Sequence, residues 1–229
     1  MAEKDAFVKE LYFVTTTVVD WIDIFSRAKY KHLVLESLEY CQKKKGLEIY
    51  AWVLMTNHLH MIIGAESIDA VHAILRDFKK FTSKKILAEL CCDDEESRRE
   101  WMLKSFERAG AKDKKISSFR FWQEGCYTEV IYSLDFFNQK LKYIHQNPVR
   151  AEFVRYPEEY LYSSAIDYCG EKGLLDVIVL SFLPIILNCP LGRSSAISLV
   201  NNWLSHTNGA STIRVFSLER ERDTVGNGV

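Results

Sequence analysis

Residues 47–65, LEIYAWVLMTNHLHMIIGA, leave this chain little freedom in its local structure. Two apolar runs flank the pair Thr56-Asn57, the pattern of two strands joined by a tight turn. Side chains alternate between the two faces of a strand, so His58 and His60 share one face and Leu59 lies on the other. Two imidazoles on one strand face admit two readings. They are ordinary hydrogen-bonding residues of a sheet, or they hold one divalent metal with a third ligand supplied from elsewhere in the fold.

A second stretch, residues 134–154 (LDFFNQKLKYIHQNPVRAEFV), reads as an amphipathic helix. Phe136, Phe137, Leu141 and Ile144 recur at helical spacing with Lys140 among them, and Pro148 is expected to end the helix. At about 100° per residue, Tyr143 and Asn147 sit one turn apart on one side with Lys140 close by. His145 falls on nearly the opposite face. The helix therefore offers a phenol and a carboxamide together, and its histidine is expected to serve elsewhere.

His58-Leu59-His60 in an apolar strand, followed far downstream by Tyr143 within YIHQNPVRA, resembles the single-tyrosine HUH transposases. The likeness is strongest to the REP-associated tyrosine transposases, relatives of small insertion-sequence transposases. It runs from about Leu11 to Leu180 and is carried by the ordered blocks WVLMTNHLHMII, FKKFTSKK, FWQ at 121–123, and YIHQNPVRA.

The resemblance implies that Tyr143 is the nucleophile and that His58 and His60 are metal ligands, with Mg²⁺ or Mn²⁺ as the ion. Relatives place a glutamine one turn after the tyrosine as third ligand. Asn147 stands there in this chain, a shorter amide next to Pro148, with Gln146 as a neighbouring alternative. The implied activity is metal-dependent nicking and rejoining of single-stranded, hairpin-containing DNA through a 5′-phosphotyrosine, by a monomer or a homodimer. A domesticated hairpin-binding protein that no longer cuts is the alternative. A replication or conjugation initiator fits less well, because the chain has no room for the additional domain such proteins often carry.

The α+β fold expected from the order of elements is a ferredoxin-like β-α-β-β-α-β core with an antiparallel sheet and a further helix bearing Tyr143. LYFVTTTVV supplies the first strand, residues 28–45 a helix closed by Gly46, and residues 126–132 the last strand. Ser67 caps a helix running to about Leu90, with Val71, Ile74, Leu75, Phe78, Phe81, Ile86 and Leu87 as its core face. Its other side carries Arg76, Lys79, Lys80, Lys84 and Lys85. That set is either a solvated face or a phosphate-binding surface. Lys140 has the same two readings: a stabiliser of phenolate or phosphate, or a surface lysine.

Residues 1–180 thus read as one domain, with a helical insertion at 92–118 that either packs on the sheet or forms a flap over DNA. Residues 181–229 form a tail of no assigned role. The formal net charge of −1 excludes a globally basic nucleic-acid binder and requires any DNA surface to be local. Six cysteines without a CxxC, and no signal peptide, point to reduced, mostly buried thiols in a cytoplasmic protein. The most apolar run, 174–187, contains Asp176 and Pro184 and is too short to span a membrane.

Overall fold

The computed structural model describes residues 10–111 and 119–180. Four strands form one antiparallel sheet: β1 (Leu11–Thr17), β2 (Glu48–Leu54), β3 (His58–Gly64) and β4 (Tyr127–Ile131), in the spatial order β2-β3-β1-β4. Helix α1 (Ala28–Lys45) joins β1 to β2, and α2 (Ile68–Cys91) leads from β3 toward β4. This is the ferredoxin-like order. Helix α3 (Arg99–Ala111) is inserted before β4, and α4 (Leu134–Arg150) follows it.

Local chemistry sets the boundaries. Met55 N–H donates to the His58 carbonyl at 2.8 Å and closes the hairpin turn. Gly46 ends α1 at φ 69°, and its N–H donates to the Cys41 carbonyl. Ser67 and Ser133 cap α2 and α4 by accepting from Ala70 N–H (3.2 Å) and Phe136 N–H (3.1 Å).

Strand alternation then sorts the interior into two layers. Leu59, Met61 and Ile63 of β3 pack with Val34 and Leu38 of α1 and with Ile74 and Phe78 of α2. Ile62 of β3 and Phe13 of β1 face the other way and pack with Phe137, Leu141 and Ile144 of α4. Helix α4 therefore covers the face to which His58 and His60 belong.

Three expectations are corrected. Pro148 does not end α4, which runs on to Arg150. A proline this close to a helix terminus removes a single donor. The last turn is closed around it by Ala151 N–H to the Asn147 carbonyl and Phe153 N–H to the Pro148 carbonyl, both 3.0 Å, while the ring itself is buried. Asn147 consequently stays in helical geometry.

Phe81 is not core but 51% exposed. Thr82 takes the inward position, donating to the Phe78 carbonyl at 2.7 Å and accepting Trp122 Nε1–H at 2.9 Å. Trp122 is accordingly buried. Third, the cysteines among the described residues are not mostly buried: Cys41 is buried, Cys126 half-buried, and Cys91 and Cys92 exposed.

The insertion packs. Met102 and Phe106 of α3 are buried, and the Phe106 ring meets Phe121 at 5.2 Å. Two acids of its start are buried and paired: Asp93 accepts from Tyr30 Oη (2.8 Å) and pairs with Lys29, while Glu96 binds Arg98 (2.8 Å) and Arg27 (3.3 Å). The basic loop with Lys112, Lys114 and Lys115, and the tail at 181–229, lie outside the described residues. Among the described residues, no helix is long and apolar enough to cross a membrane.

After α4 the chain returns along the outer edge of β2. Leu54 N–H donates to the Tyr162 carbonyl, Ser164 N–H to Trp52, and Ile178 N–H to Ile49, each at 2.9 Å. His145 fastens this segment to α4, its Nε2 lying 2.9 Å from Ser164 Oγ and its ring 5.1 Å from that of Tyr168.

Burial pulls the His145 pKa down to about 3. The unfolded chain titrates near the ordinary histidine value of about 6.5, so below that pH it takes up a proton that the folded chain refuses. His145 thus costs the fold nothing above about pH 6.5 and destabilises it progressively as the pH falls toward 3. At pH 5 the expected loss is about 2 kcal/mol. Urea unfolding at pH 7.5 and pH 5.0 should show His145→Gln losing that much less than wild type on acidification. An identical acid loss in both proteins would contradict the assignment.

Candidate active site

His58 opens β3 directly after the turn, and His60 follows two residues later on the same face, with ring centroids 4.7 Å apart. His60 is buried and His58 half-buried. The His60 ring stacks on Phe13 of β1 at 5.7 Å and 20°. Tyr143 comes down from α4 onto this pair, its Oη 3.3 Å from His60 Nε2 and its ring edge-on to Phe13 at 6.0 Å. The two sequence motifs therefore meet at one point.

The far nitrogens of both imidazoles are held. Asn57 Nδ2 donates to the Trp21 carbonyl at 3.0 Å, which turns Asn57 Oδ1 toward His58 Nδ1 at 2.6 Å. An amide oxygen only accepts, so His58 carries its proton on Nδ1 and presents the Nε2 lone pair. His60 Nδ1 lies 2.7 Å from Thr15 Oγ1, and its Nε2 faces Tyr143. Burial lowers the His58 pKa. Burial, followed by the neighbouring His58, Arg150 and Lys140, brings His60 down to about 3. Both rings are neutral near pH 7, the state in which imidazole binds a metal.

Arg150 completes the cluster, and motif reading did not find it. Its guanidinium carbon lies 4.7 Å from the centroid of the Tyr143 ring, and Nη2 donates to the Tyr143 carbonyl at 3.0 Å. Seven residues span about 700°, nearly two full turns, so Arg150 shares the face of Tyr143. That signal was present in the sequence, but reading Pro148 as the helix end placed Arg150 beyond the helix.

Lys140 also reaches the site. Its Nζ is 4.4 Å from the Phe13 ring centroid and 4.9 Å from that of Phe136, and it pairs with Glu129 at 2.7 Å. Glu129 compensates its charge, whereas the Arg150 guanidinium lies directly against the Tyr143 ring. Asn147 is half-buried one turn beyond Tyr143.

The donor set fits a divalent ion in part. His58 and His60 offer two neutral imidazoles on one face, and among the described residues no group of three or more His, Cys, Asp or Glu gathers as a ligand set. Asn147 and Gln146, the amides named from the sequence, are both half-buried on α4.

The basic set on α2 lies in the other layer of the fold. Lys79 donates to the carbonyls of Gln123 (2.8 Å) and Gly125 and thereby anchors the loop entering β4. Arg76 pairs with Asp77 at 3.4 Å, and Lys85 lies 5.8 Å from the exposed Phe81 ring. Lys80 and Lys84 are exposed. A nucleic acid touching both α2 and Tyr143 must pass around the sheet, and the return segment occupies the β2 edge.

Fold and site together define a ferredoxin-like domain with a His-x-His pair and a helix-borne tyrosine. Residues 22–106 match the family model Transposase IS200 like, so the resemblance to insertion-sequence transposases holds over the segment with the histidine pair. Tyr143 lies beyond it. Among solved structures, the chain is similar to a REP-associated tyrosine transposase bound to a REP hairpin, with 19% identity, 80% of this chain and 96% of that chain covered, and a TM-score of 0.44. It is also similar to a protein of Deinococcus radiodurans R1 classed as a transposase, with 14% identity, 63% and 95% covered, and a TM-score of 0.38. With TM-scores this low, the fold assignment rests on strand order and register. No curated protein matches the chain.

Proposed function

We propose that this chain is a divalent-metal-dependent transposase that nicks and rejoins single-stranded, hairpin-containing DNA through a phosphotyrosine on Tyr143. The observation that carries the reading is the 3.3 Å approach of Tyr143 Oη to His60 Nε2, with His58 alongside on the same sheet face. The family match at 22–106 supports the enzyme class, and the motif resemblance supports the hairpin substrate.

In the proposed reaction Tyr143 Oη attacks a backbone phosphorus. The P–O bond to the 3′ oxygen breaks, the phenol gives up its proton, and the 3′ oxygen takes one to become a free hydroxyl. The 5′-phosphotyrosine keeps the bond energy for rejoining, which runs the same steps in reverse. When bound by His58 and His60, with Asn147 as proposed third ligand, Mg²⁺ or Mn²⁺ supplies a Lewis acid to a phosphate oxygen. His60, with a pKa near 3, is too weak a base to keep the phenol proton near pH 7. Without an ion its Nε2 positions Tyr143 Oη, and that same nitrogen would turn to the ion when one is bound. Arg150, its guanidinium 4.7 Å from the Tyr143 ring centroid, would stabilise the charge that builds on the phenol during attack.

A hairpin-binding protein that no longer cuts is the second reading. Asn147 favours it, because an amide one methylene shorter than the relatives' glutamine weakens the third ligand position.

Covalent capture separates the two. Single-stranded hairpin DNA from the flanks of the native gene, labelled at its 3′ end, is incubated with the full chain in Mn²⁺, Mg²⁺ or EDTA. A denaturant-resistant labelled adduct is expected with metal and not with EDTA, its nucleotide mapping to the Tyr143 peptide. Tight binding with no adduct in either metal selects the second reading, and absence of both defeats the proposal.

A further inference from the structure

The connection between β1 and α1 carries a large aromatic ring that the fold does not bury. Trp21 is 61% exposed. It ends a single 3-10 turn, Val19–Trp21, in which Asp20 (φ 52°) and Trp21 (φ 57°) are both left-handed without being glycine. Two such residues in a row are unfavourable and persist only where the surroundings enforce them.

Here the surroundings do so from three sides. Arg108 of α3 pairs with the Asp20 carboxylate at 3.0 Å, Trp21 N–H donates to the Val18 carbonyl at 3.1 Å, and the Trp21 carbonyl accepts from Asn57 Nδ2 at 3.0 Å. Asn57 is the residue that orients His58. The indole also meets the His58 ring directly, edge-on, at 6.2 Å and 72°. A strained turn thus spends three polar contacts to hold an exposed indole against a candidate metal ligand.

Core packing does not account for a tryptophan left mostly in water. A flat π surface facing solvent, fixed beside the group that would hold a phosphate, is what stacks an unpaired nucleobase. Single-stranded DNA presents such bases, and duplex DNA does not.

We propose that Trp21 is the stacking platform for one unpaired nucleobase flanking the phosphate at His58 and His60, and so helps to set where the strand is cut. The inference rests on the DNA-processing reading above. The platform reads the face of the base, so it tolerates different bases and is lost when the base is removed.

The test measures affinity by fluorescence anisotropy in a Tyr143→Phe background, which removes cleavage. The DNA is the labelled hairpin with its single-stranded flank, together with a series carrying one abasic nucleotide at each flank position. Trp21→Ala is expected to weaken binding roughly 5- to 150-fold, the range for losing one base–aromatic stack. Trp21→Phe should recover most of this, and Trp21→Leu, which keeps apolar bulk without a flat ring, should not. One abasic position should cost the Trp21 protein a similar factor and cost Trp21→Ala nothing more. Thermal melting of each variant checks that it is folded.

Unchanged affinity in folded Trp21→Ala, or equal sensitivity of both proteins to every abasic position, overturns the platform while DNA binding by the Trp21 protein leaves the broader reading standing. No DNA binding by the Trp21 protein defeats both.

Discussion

Tyr143→Phe is expected to bind hairpin DNA as the wild type does and to form no covalent adduct at any metal concentration. The substitution removes only the hydroxyl. Phenylalanine keeps the ring contact with Phe13, so the α4 face of the sheet stays packed and the loss reads as chemistry rather than folding. His58→Ala and His60→Ala should likewise abolish the adduct, because each leaves one imidazole where two are needed to hold the ion. Thr15→Val gives a graded version. It removes the partner of His60 Nδ1 while keeping shape, and loss of such an orienting contact typically costs 10- to 100-fold in metal affinity or activity. Adduct yield titrated against Mn²⁺ should therefore shift to higher concentration by that factor. An adduct formed by Tyr143→Phe would place the nucleophile elsewhere and end the mechanism proposed here.

What the sequence made legible follows from periodicity. A period of two put His58 and His60 on one face and Leu59 on the other, and the two core layers follow that alternation. A period of 3.6 put Tyr143 on the face of α4 away from His145. Once the strands take the order β2-β3-β1-β4, those two periodicities bring Tyr143 to His60 without further information. Ser67 and Gly46 were readable because a cap is a local hydrogen-bond problem with few solutions.

Thr82 rather than Phe81 faces inward because it lies four residues after Phe78 and four before Ile86 on the buried stripe of α2; its hydroxyl disguised a core position, and there it accepts the Trp122 indole N–H. The rest depended on contacts distant in sequence. The acidic start of the insertion looked like surface charge, yet Asp93 and Glu96 are buried by cations from around α1 and from their own turn. Charge counting along α2 gave the cations without their geometry, since the layer to which they belong is fixed by topology. Trp21 could not be read as exposed, because its side-chain direction follows from positive φ at Asp20 and Trp21, and nothing in the sequence signals a left-handed tryptophan.

Arg150→Ala is expected to slow adduct formation about 100-fold under single-turnover conditions while leaving hairpin affinity nearly unchanged. The magnitude is that of removing one preorganised charge from a reacting group. The guanidinium lies 4.7 Å from the Tyr143 ring centroid, and its own hydrogen bond to the Tyr143 carbonyl fixes it there. It therefore needs no reorganisation as the phenol proton leaves. Lys140 cannot substitute, because Glu129 already balances it. Arg150→Lys should recover little of the rate, since an ammonium keeps the charge but neither lies flat on the ring nor retains the forked donors. A role in binding the DNA backbone predicts a different split, with affinity and rate falling together and the salt dependence of binding becoming shallower. Rapid-quench kinetics at saturating DNA, set beside anisotropy titrations of the same variants, separate the two. An unchanged rate in Arg150→Ala would leave Tyr143 to act without its neighbouring cation, and the ion at His58 and His60 as the sole source of positive charge near the phenol oxygen.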